Sequence, residues 1–144
     1  MSKKSDFRVL IVMVDIVFYE KPGCINNTRQ KRLLQEAGHT VTAKNLLYAP
    51  WTSTRLLDYF QKMPVVDWFN RSAPQITSGQ LDPQRLTKAE AIYRMLSEPL
   101  LIRRPLMEVQ GRKLVGFDVD LLDEIIGMKV TDRTEDLESC ARKA

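Results

Sequence analysis

The sequence predicts an α/β fold: a four-stranded mixed sheet flanked by helices, with a helical insertion before a final β-hairpin. Three observations predict it. A strand–helix–strand unit comes first, which implies two parallel strands joined by a helix. Several helical segments follow, and a hairpin with a last helix ends the pattern. The chain has 144 residues, 44% hydrophobic and 28% charged, as is typical of one globular domain with its own core.

Residues 14–46 form the strand–helix–strand unit. Residues 14–19 (VDIVFY) are mostly β-branched or aromatic, which predicts the first strand. A helical pattern runs from 26 to 37, and Gly38 ends it as a C′ glycine does. Residues 40–46 predict the second strand.

The insertion is helical. It contains a helix that begins at residues 50–52, a short helix at 64–69 and a loop-rich stretch at 70–82. Thr87 and Glu90 form a capping box at the start of the next helix, which Pro99 stops. The side chains expected in the core are Leu56, Leu57 and Phe60 in the first of these helices, and Ala89, Ile92, Tyr93 and Leu96 in the last.

The hairpin and the last helix complete the domain. Strands are predicted at residues 106–109 and 113–116. Gln110-Gly111 between them is a turn signal. Asp118 caps the last helix and Gly127 closes it. The core-facing side chains of this helix are expected to be Leu121, Leu122, Ile125 and Ile126.

We divide the chain into three parts. Residues 1–12 are an N-terminal extension, which an upstream start codon would explain; 13–127 are the domain, and 128–144 a polar tail. Within the tail, residues 134–141 either form a short helix or fray. No stretch approaches the about 20 apolar residues of a membrane span, so no membrane association is expected.

Charge and cysteine content indicate which partners and which cellular compartment to expect. The net charge is +4, and the basic residues are interspersed with acids, so no nucleic-acid partner is expected. The two cysteines, Cys24 and Cys140, do not make a disulfide framework, which favours a reducing cytoplasm.

Cys24 is the first candidate for chemistry. It follows the strand and the breaker residues 20–23 (EKPG), and directly precedes the first helix. Free N–H groups and the positive dipole end of a helix stabilise a thiolate there. A thiolate at neutral pH is a nucleophile. The alternative is that Cys24 is a small buried apolar residue in a tight turn.

A cysteine after the first strand and an Arg-Pro before the hairpin make a thioredoxin-like arrangement. In that fold the residue before the third strand is a cis-proline beside the thiol, and Pro105 occupies this position. The cis assignment of Pro105 follows from this resemblance.

Residues 14–127 resemble the arsenate reductase-like family that includes the Spx-type regulators. The resemblance rests on residues 18–30 (FYEKPGCINNTRQ), 68–71 (WFNR) and 99–106 (PLLIRRPL). The first two segments look closest to the subgroup called nitrogenase-associated proteins, found in nitrogen-fixing bacteria.

The resemblance implies an anion site around the cysteine. In arsenate reductases the thiolate attacks an oxyanion held by arginines, and glutathione with glutaredoxin completes the reduction. By position, Cys24 is the nucleophile, and Arg71 and Arg104 hold the anion. Guanidinium forks match tetrahedral oxyanions and lower the pKa of a nearby thiol. The alternative is that both arginines are surface residues, or that Arg71 caps a helix C-terminus.

Three departures from the family pattern point to altered chemistry on a retained scaffold. Residues 115–117 (VGF) lack the family's third anion-binding arginine. Glu20 stands where the family commonly has a histidine, and its carboxylate is expected to oppose thiolate formation. Asn27 replaces a common serine, and its amide N–H is expected to reach the sulfur or the bound anion.

The remaining candidate residues give weaker evidence for a chemical role. Spx-type redox sensors commonly carry Cys-x-x-Cys, which residues 24–27 lack. Cys140 is either a resolving thiol or an incidental exposed cysteine. His39 is expected to be exposed and inert, and as the one histidine it supports no zinc site, so no metal is expected. Trp51, Trp68 and Phe69 are expected to pack rather than to stack on bases.

The sequence thus favours a one-cysteine thiol oxidoreductase that is not an efficient arsenate reductase. Its substrate is a small oxyanion or thiol, no cofactor is bound, and glutathione or glutaredoxin is the expected co-reactant. The alternative is a non-enzymatic accessory or regulatory protein with a protein partner in nitrogen metabolism.

Overall fold

The computed structural model describes residues 13–128 and Glu138. The expected N-terminal extension, the tail helix at 134–141 and Cys140 lie outside the described residues.

Four strands form one mixed sheet in the order β2-β1-β3-β4. The strands are β1 (Asp15–Glu20), β2 (Thr40–Asn45), β3 (Leu106–Val109) and β4 (Arg112–Val115). β1 runs parallel to β2 and antiparallel to β3, and β3 pairs with β4 as an antiparallel hairpin. Phe18 at the centre of β1 is opposite Ala43 on one side and Met107 on the other. The predicted sheet is therefore confirmed.

Helices connect the strands in the predicted order. The α-helices are α1 (Ile25–Glu36), α2 (Ser53–Phe60), α3 (Pro74–Thr77), α4 (Lys88–Ser97) and α5 (Val119–Ile126). Short 3₁₀ turns cover Val65–Trp68, Pro83–Arg85 and Pro99–Leu101. The capping box of Thr87 and Glu90 is present, and the Asp118 carboxylate accepts from Leu121 N. No helix in the described part of the chain is both long and apolar enough to cross a membrane.

Each face of the sheet has its own core. Because successive side chains of a strand alternate between faces, Ile16 and Phe18 enter one core and Tyr19 enters the other. The first core is completed by Leu34 of α1 and by Leu122 and Ile126 of α5. The second is completed by α2, α4 and the segment between them, through Leu56, Phe60, Trp68, Phe69, Ala91, Ile92 and Met95.

The buried faces of α2 and α4 differ from the predicted ones. α4 buries Met95 together with Ala91 and Ile92, whereas Tyr93 is 70% exposed and Ala89 and Leu96 are also exposed. Residues 91, 92 and 95 have helical spacing too, so the helix has two overlapping apolar stripes. Packing against the sheet selects the stripe that contains Met95. In α2, likewise, Tyr59 is buried and Leu57 is exposed.

His39 is buried, so the expectation that it is exposed was wrong. Its side chain lies in the turn between α1 and β2, and its Nε2 is 2.9 Å from Gly127 O at the end of α5. The two helices on this face of the sheet both end at this point. A contact between residues 88 positions apart leaves no local pattern in the sequence.

The turn of the hairpin is as predicted. Gln110 and Gly111 have φ angles of 51° and 79°, and two successive left-handed residues define the type I′ turn that suits twisted strands. At the other end of β3, the bond between Arg104 and Pro105 is cis, as the resemblance implied. Pro105 therefore stands directly before the inner strand β3, next to β1.

Candidate active site around Cys24

Cys24 is the N-cap residue of α1. Its backbone is extended, with φ −77° and ψ 121°, and its carbonyl accepts from Thr28 N at 3.1 Å to begin the helix. Gly23, at φ 84°, makes the left-handed step that turns the chain from β1 into this position. Cys24 N donates to Lys21 O at 3.1 Å and closes the turn. The sulfur therefore lies where the helix presents its free N–H groups.

The surroundings of Cys24 favour the thiolate. Burial raises the pKa of the thiol, because it penalises the charged form. The backbone N–H of Asn27, the guanidinium of Arg104 and the backbone N–H of Asn26 all stabilise the negative sulfur, and together they lower the pKa of Cys24 below its ordinary value. Cys24 thus combines features of both alternatives. It is a buried residue, 4% exposed, and its surroundings favour the thiolate, as they do for a nucleophilic cysteine.

A cavity of about 380 Å³ adjoins Cys24; we call it the cysteine cavity. Its lining residues are Lys21, Gly23, Cys24, Ile25, Asn70, Ser72, Ala73, Pro74, Leu100 and Arg104. The loop before α1, the start of α3 and the segment before β3 thus form its walls.

Arg104 is the predicted cation that the fold brings to the sulfur. Its side chain is buried, and it directly precedes Pro105. It also lines a second cavity, of about 230 Å³, which we call the arginine cavity. That cavity is lined by Asp67, Phe69, Asn70, Arg71, Ser72, Arg103, Arg104 and Glu138. The two cavities share Asn70, Ser72 and Arg104 and therefore adjoin.

Arg71 lies in the arginine cavity and does not line the cysteine cavity. Its side chain is 69% exposed and pairs with Asp67 Oδ1 at 3.0 Å. An exposed pair of this kind contributes little to stability. Arg71 is therefore placed to meet a ligand in the arginine cavity, one cavity away from the sulfur.

The Asn27 side chain has partners other than the sulfur. It is buried, its Oδ1 accepts from Lys21 N at 3.0 Å, and its Nδ2 donates to Gln30 Oε1 at 2.9 Å. These contacts brace the turn against α1, and the contact of the Asn27 amide with the sulfur or a bound anion stays a prediction. The backbone N–H of Asn27 stabilises the thiolate.

The carboxylate of Glu20 has a cationic partner on α1. It pairs with Lys31 Nζ of α1 at 2.7 Å, and both side chains are largely buried. The pair balances the negative charge beside the turn. The strongest influences on the pKa of Cys24 come from burial, Asn27, Arg104 and Asn26.

Arg103 is the residue of this region that sequence reasoning missed. Its guanidinium Nε and Nη2 donate to the two carboxylate oxygens of Glu138, the second at 3.0 Å, and Nη1 donates to Asp67 O at 3.0 Å. The signals available in the sequence were the adjacent Arg103 and Arg104, and the lack of an arginine in residues 115–117, where the resemblance implies one. In the described part of the chain no group of His, Cys, Asp and Glu side chains is arranged to hold a metal ion.

A protein-family model, described as the ArsC family, matches residues 25–125. The chain belongs to the ArsC family. The match begins at α1, directly after Cys24, and ends within α5, so it covers the shared helices and the hairpin of this ArsC-family protein. The resemblance to arsenate reductase-like proteins is thereby confirmed.

A relative from Rhodospirillum rubrum carries the description "uncharacterized 15.7 kDa protein in draG 3′ region". It is 44% identical over 132 residues, which cover 92% of each chain. This relative is consistent with the nitrogenase-associated subgroup.

Solved structures share the fold of this ArsC-family protein. The arsenate reductase from Vibrio cholerae has a TM-score of 0.65 and 20% identity, covering 78% of this chain and 98% of the other. An arsenate reductase-related protein from Brucella melitensis has a TM-score of 0.60 and 20% identity, covering 77% and 93%. At these identities the similarity shows the fold alone.

Proposed function

We propose that this ArsC-family protein is a one-cysteine thiol oxidoreductase that uses Cys24 as its nucleophile and glutathione as external thiol. The observation that carries the proposal is the convergence of three donors on one sulfur: two backbone N–H groups at the start of α1 and the Arg104 guanidinium. Such a thiolate attacks the sulfur of a disulfide or the central atom of an oxyanion.

The chemistry requires an external thiol because the helix carries no second cysteine near Cys24. The Cys24 thiolate attacks the glutathione sulfur of a mixed disulfide, forms a Cys24–glutathione disulfide and releases the substrate thiolate. A glutathione thiolate then attacks the glutathione sulfur of that disulfide, regenerates the Cys24 thiolate and leaves as oxidised glutathione. In sum, one glutathione thiol and the mixed disulfide become the substrate thiol and oxidised glutathione, which contains the glutathione of the mixed disulfide and the one that attacked.

We do not propose arsenate as the substrate, because the anion site lacks one arginine that the resemblance implies. The resemblance implies a third anion-binding arginine on β4, and Gly116 stands in this region. Loss of one charge-assisted hydrogen bond costs about 1.5–3 kcal/mol, which is about one to two powers of ten in affinity.

The test combines thiol titration with turnover. In a Cys140→Ser background, the pH dependence of iodoacetamide alkylation gives the pKa of Cys24, which we expect below that of a free thiol. The same protein should reduce the mixed disulfide of glutathione and 2-mercaptoethanol, and Cys24→Ser should abolish that activity. A normal or raised pKa, together with turnover that survives Cys24→Ser, contradicts the proposal.

A second candidate is an accessory protein of nitrogen metabolism that acts by binding a protein partner. Two observations favour it: Cys24 is almost fully buried, and the description of the Rhodospirillum rubrum relative gives a position in the draG 3′ region. This candidate predicts that Cys24→Ser retains the biological effect of the protein in its own host. The oxidoreductase predicts that the effect is lost.

A further inference from the structure

A carboxylate from the chain itself lies in the arginine cavity. Both oxygens of Glu138 accept from the Arg103 guanidinium, and Oε1 is also 3.4 Å from Phe117 N. The guanidinium thus binds the carboxylate with two parallel N–H groups, the geometry in which arginine recognises carboxylates most strongly. A backbone N–H at the end of the hairpin adds a third donor.

The receiving groups are held in place independently of Glu138. Arg103 Nη1 donates to Asp67 O at 3.0 Å, and Arg103 N donates to Trp68 O at 2.9 Å. The guanidinium is therefore fixed to the backbone of the 3₁₀ turn that precedes Arg71. Its side chain is 27% exposed, so the fork faces the cavity from a mostly buried position.

Gly116 provides the space for the carboxylate. A Cβ at this position would lie 2.7 Å from Arg103 Nη2 and 2.8 Å from Glu138 Oε1. Both distances are too short for a contact with Cβ, so a side chain at this position would displace the guanidinium or the carboxylate. Gly116 lies in the stretch 115–117 where the resemblance implies a third arginine, and it leaves space in which Arg103 and a carboxylate meet.

The site adjoins the reactive sulfur through Arg104, which lines both cavities. A ligand bound at Cys24 that is long enough to pass Arg104 would therefore reach Arg103. If Glu138 leaves, three arginines (Arg71, Arg103 and Arg104) and one carboxylate (Asp67) line the arginine cavity. The region then attracts an anion.

We propose that Arg103, Phe117 N–H and the space at Gly116 form a carboxylate subsite for a carboxylate-bearing peptide thiol, and that Glu138 is an internal carboxylate that competes with this ligand. The inference rests on the proposed function, since it assigns the part of the substrate distant from the sulfur. The free protein is then partly self-occupied, and its apparent affinity is reduced by the fraction in which Glu138 is bound.

The test uses S-methylglutathione, which carries the carboxylates and forms no disulfide. Its binding to the full chain is measured by isothermal titration calorimetry, beside that of its dimethyl ester, whose carboxylates are blocked. We expect Glu138→Ala to lower the Kd for S-methylglutathione about tenfold and Arg103→Gln to raise it about tenfold. The ester should respond to neither change.

Two matched variants control for net charge. Arg85→Gln removes an arginine whose side chain is 86% exposed and pairs with Asp82, three residues away. Glu124→Ala removes an exposed carboxylate on α5. Both should bind S-methylglutathione like the parent protein. Thermal unfolding checks each fold, and if Arg103→Gln does not fold, Glu138→Ala decides alone, because it keeps the contact of Arg103 with Asp67 O.

The inference is overturned if Glu138→Ala does not tighten binding, if acid and ester respond alike, or if no protein binds S-methylglutathione. Turnover of the glutathione mixed disulfide on the same proteins separates the two proposals. Turnover with Arg103-independent binding contradicts the subsite and leaves the oxidoreductase. Arg103-dependent binding without Cys24-dependent turnover contradicts the oxidoreductase and leaves the subsite.

Discussion

At the residue scale, Arg104 is a buried cation beside the Cys24 sulfur. Its guanidinium lowers the thiol pKa both by a hydrogen bond and by its charge. We expect Arg104→Gln to raise the pKa of Cys24 and to slow alkylation by iodoacetamide several-fold near neutral pH, because less thiolate is present. The measurement is the pH profile of the alkylation rate in the Cys140→Ser background.

A distant arginine provides the control for Arg104. Arg85→Gln makes the same change of net charge at a position that is exposed and lines neither cavity. Its pH profile should coincide with that of the parent. If the two variants shift the profile equally, the effect belongs to the net charge of the protein and the assigned role of Arg104 is wrong.

At the scale of the elements, the N-terminus of α1 links stability to pH. The thiol pKa is lower in the folded protein than in the unfolded chain, where it is about 8.5. Between the two values unfolding takes up a proton, so the free energy of unfolding increases with pH. The stabilisation is complete above the unfolded-chain pKa and disappears as the pH falls through the folded one.

Cys24→Ser isolates this contribution because serine does not titrate in that range. Urea denaturation of both proteins, in the Cys140→Ser background, should give stabilities that diverge as the pH rises from about 5 to 9. As the pH rises, the free energy of unfolding of the protein with Cys24 should increase relative to that of the Cys24→Ser variant. Parallel curves would show that the helix terminus and Arg104 do not favour the thiolate.

The hairpin offers a matched pair of glycines. Gly111 and Gly116 both have φ of 79°, but a Cβ at Gly111 meets nothing within 4 Å, whereas one at Gly116 meets Arg103 and Glu138. We expect Gly111→Ala to cost about 1 kcal/mol of stability, the price of a left-handed alanine. Gly116→Ala should cost about 1 kcal/mol more, because it separates Arg103 from Glu138.

Urea denaturation of the two glycine variants measures this difference directly. Adding Glu138→Ala to each should then bring their costs closer together, since the carboxylate that a Cβ displaces is already gone. Equal costs for the two single variants would mean that Arg103 and Glu138 adjust to a side chain at position 116 without loss.

At the scale of the whole molecule, the features predicted correctly are those that the sequence encodes locally. The capping box at Thr87, the cap at Asp118 and the turn at Gln110-Gly111 each need only neighbouring residues, and each is present. Their order along the chain determines the sheet. The cis bond before Pro105 came from the resemblance.

The features that were missed depend on residues distant in sequence. Arg103 and Glu138 are 35 positions apart in the sequence but form a hydrogen-bonded pair. Only the three-dimensional structure shows that Gly116 leaves space for both side chains. The side-chain amide of Asn27 was expected to contact the sulfur. In the structure it forms hydrogen bonds with Lys21 N and Gln30 Oε1, which brace the turn before α1. Local patterns therefore placed Cys24 at the start of α1, whereas its polar surroundings required the three-dimensional structure.

His39 joins the ends of two helices on one face of the sheet, so its removal tests how the molecule is held together. We expect His39→Ala to lower the free energy of unfolding by about 1–3 kcal/mol, because it empties a buried position and leaves Gly127 O without this contact. Urea denaturation measures the loss, and Tyr48→Ala, at an 84% exposed position, should change stability little.

The alkylation profile of Cys24 should stay unchanged in the His39 variant, since His39 lies at the end of α1 opposite the sulfur. A His39 variant of parental stability would show that the contact with Gly127 contributes nothing. A shifted alkylation profile would show that α1 carries the disturbance along its whole length.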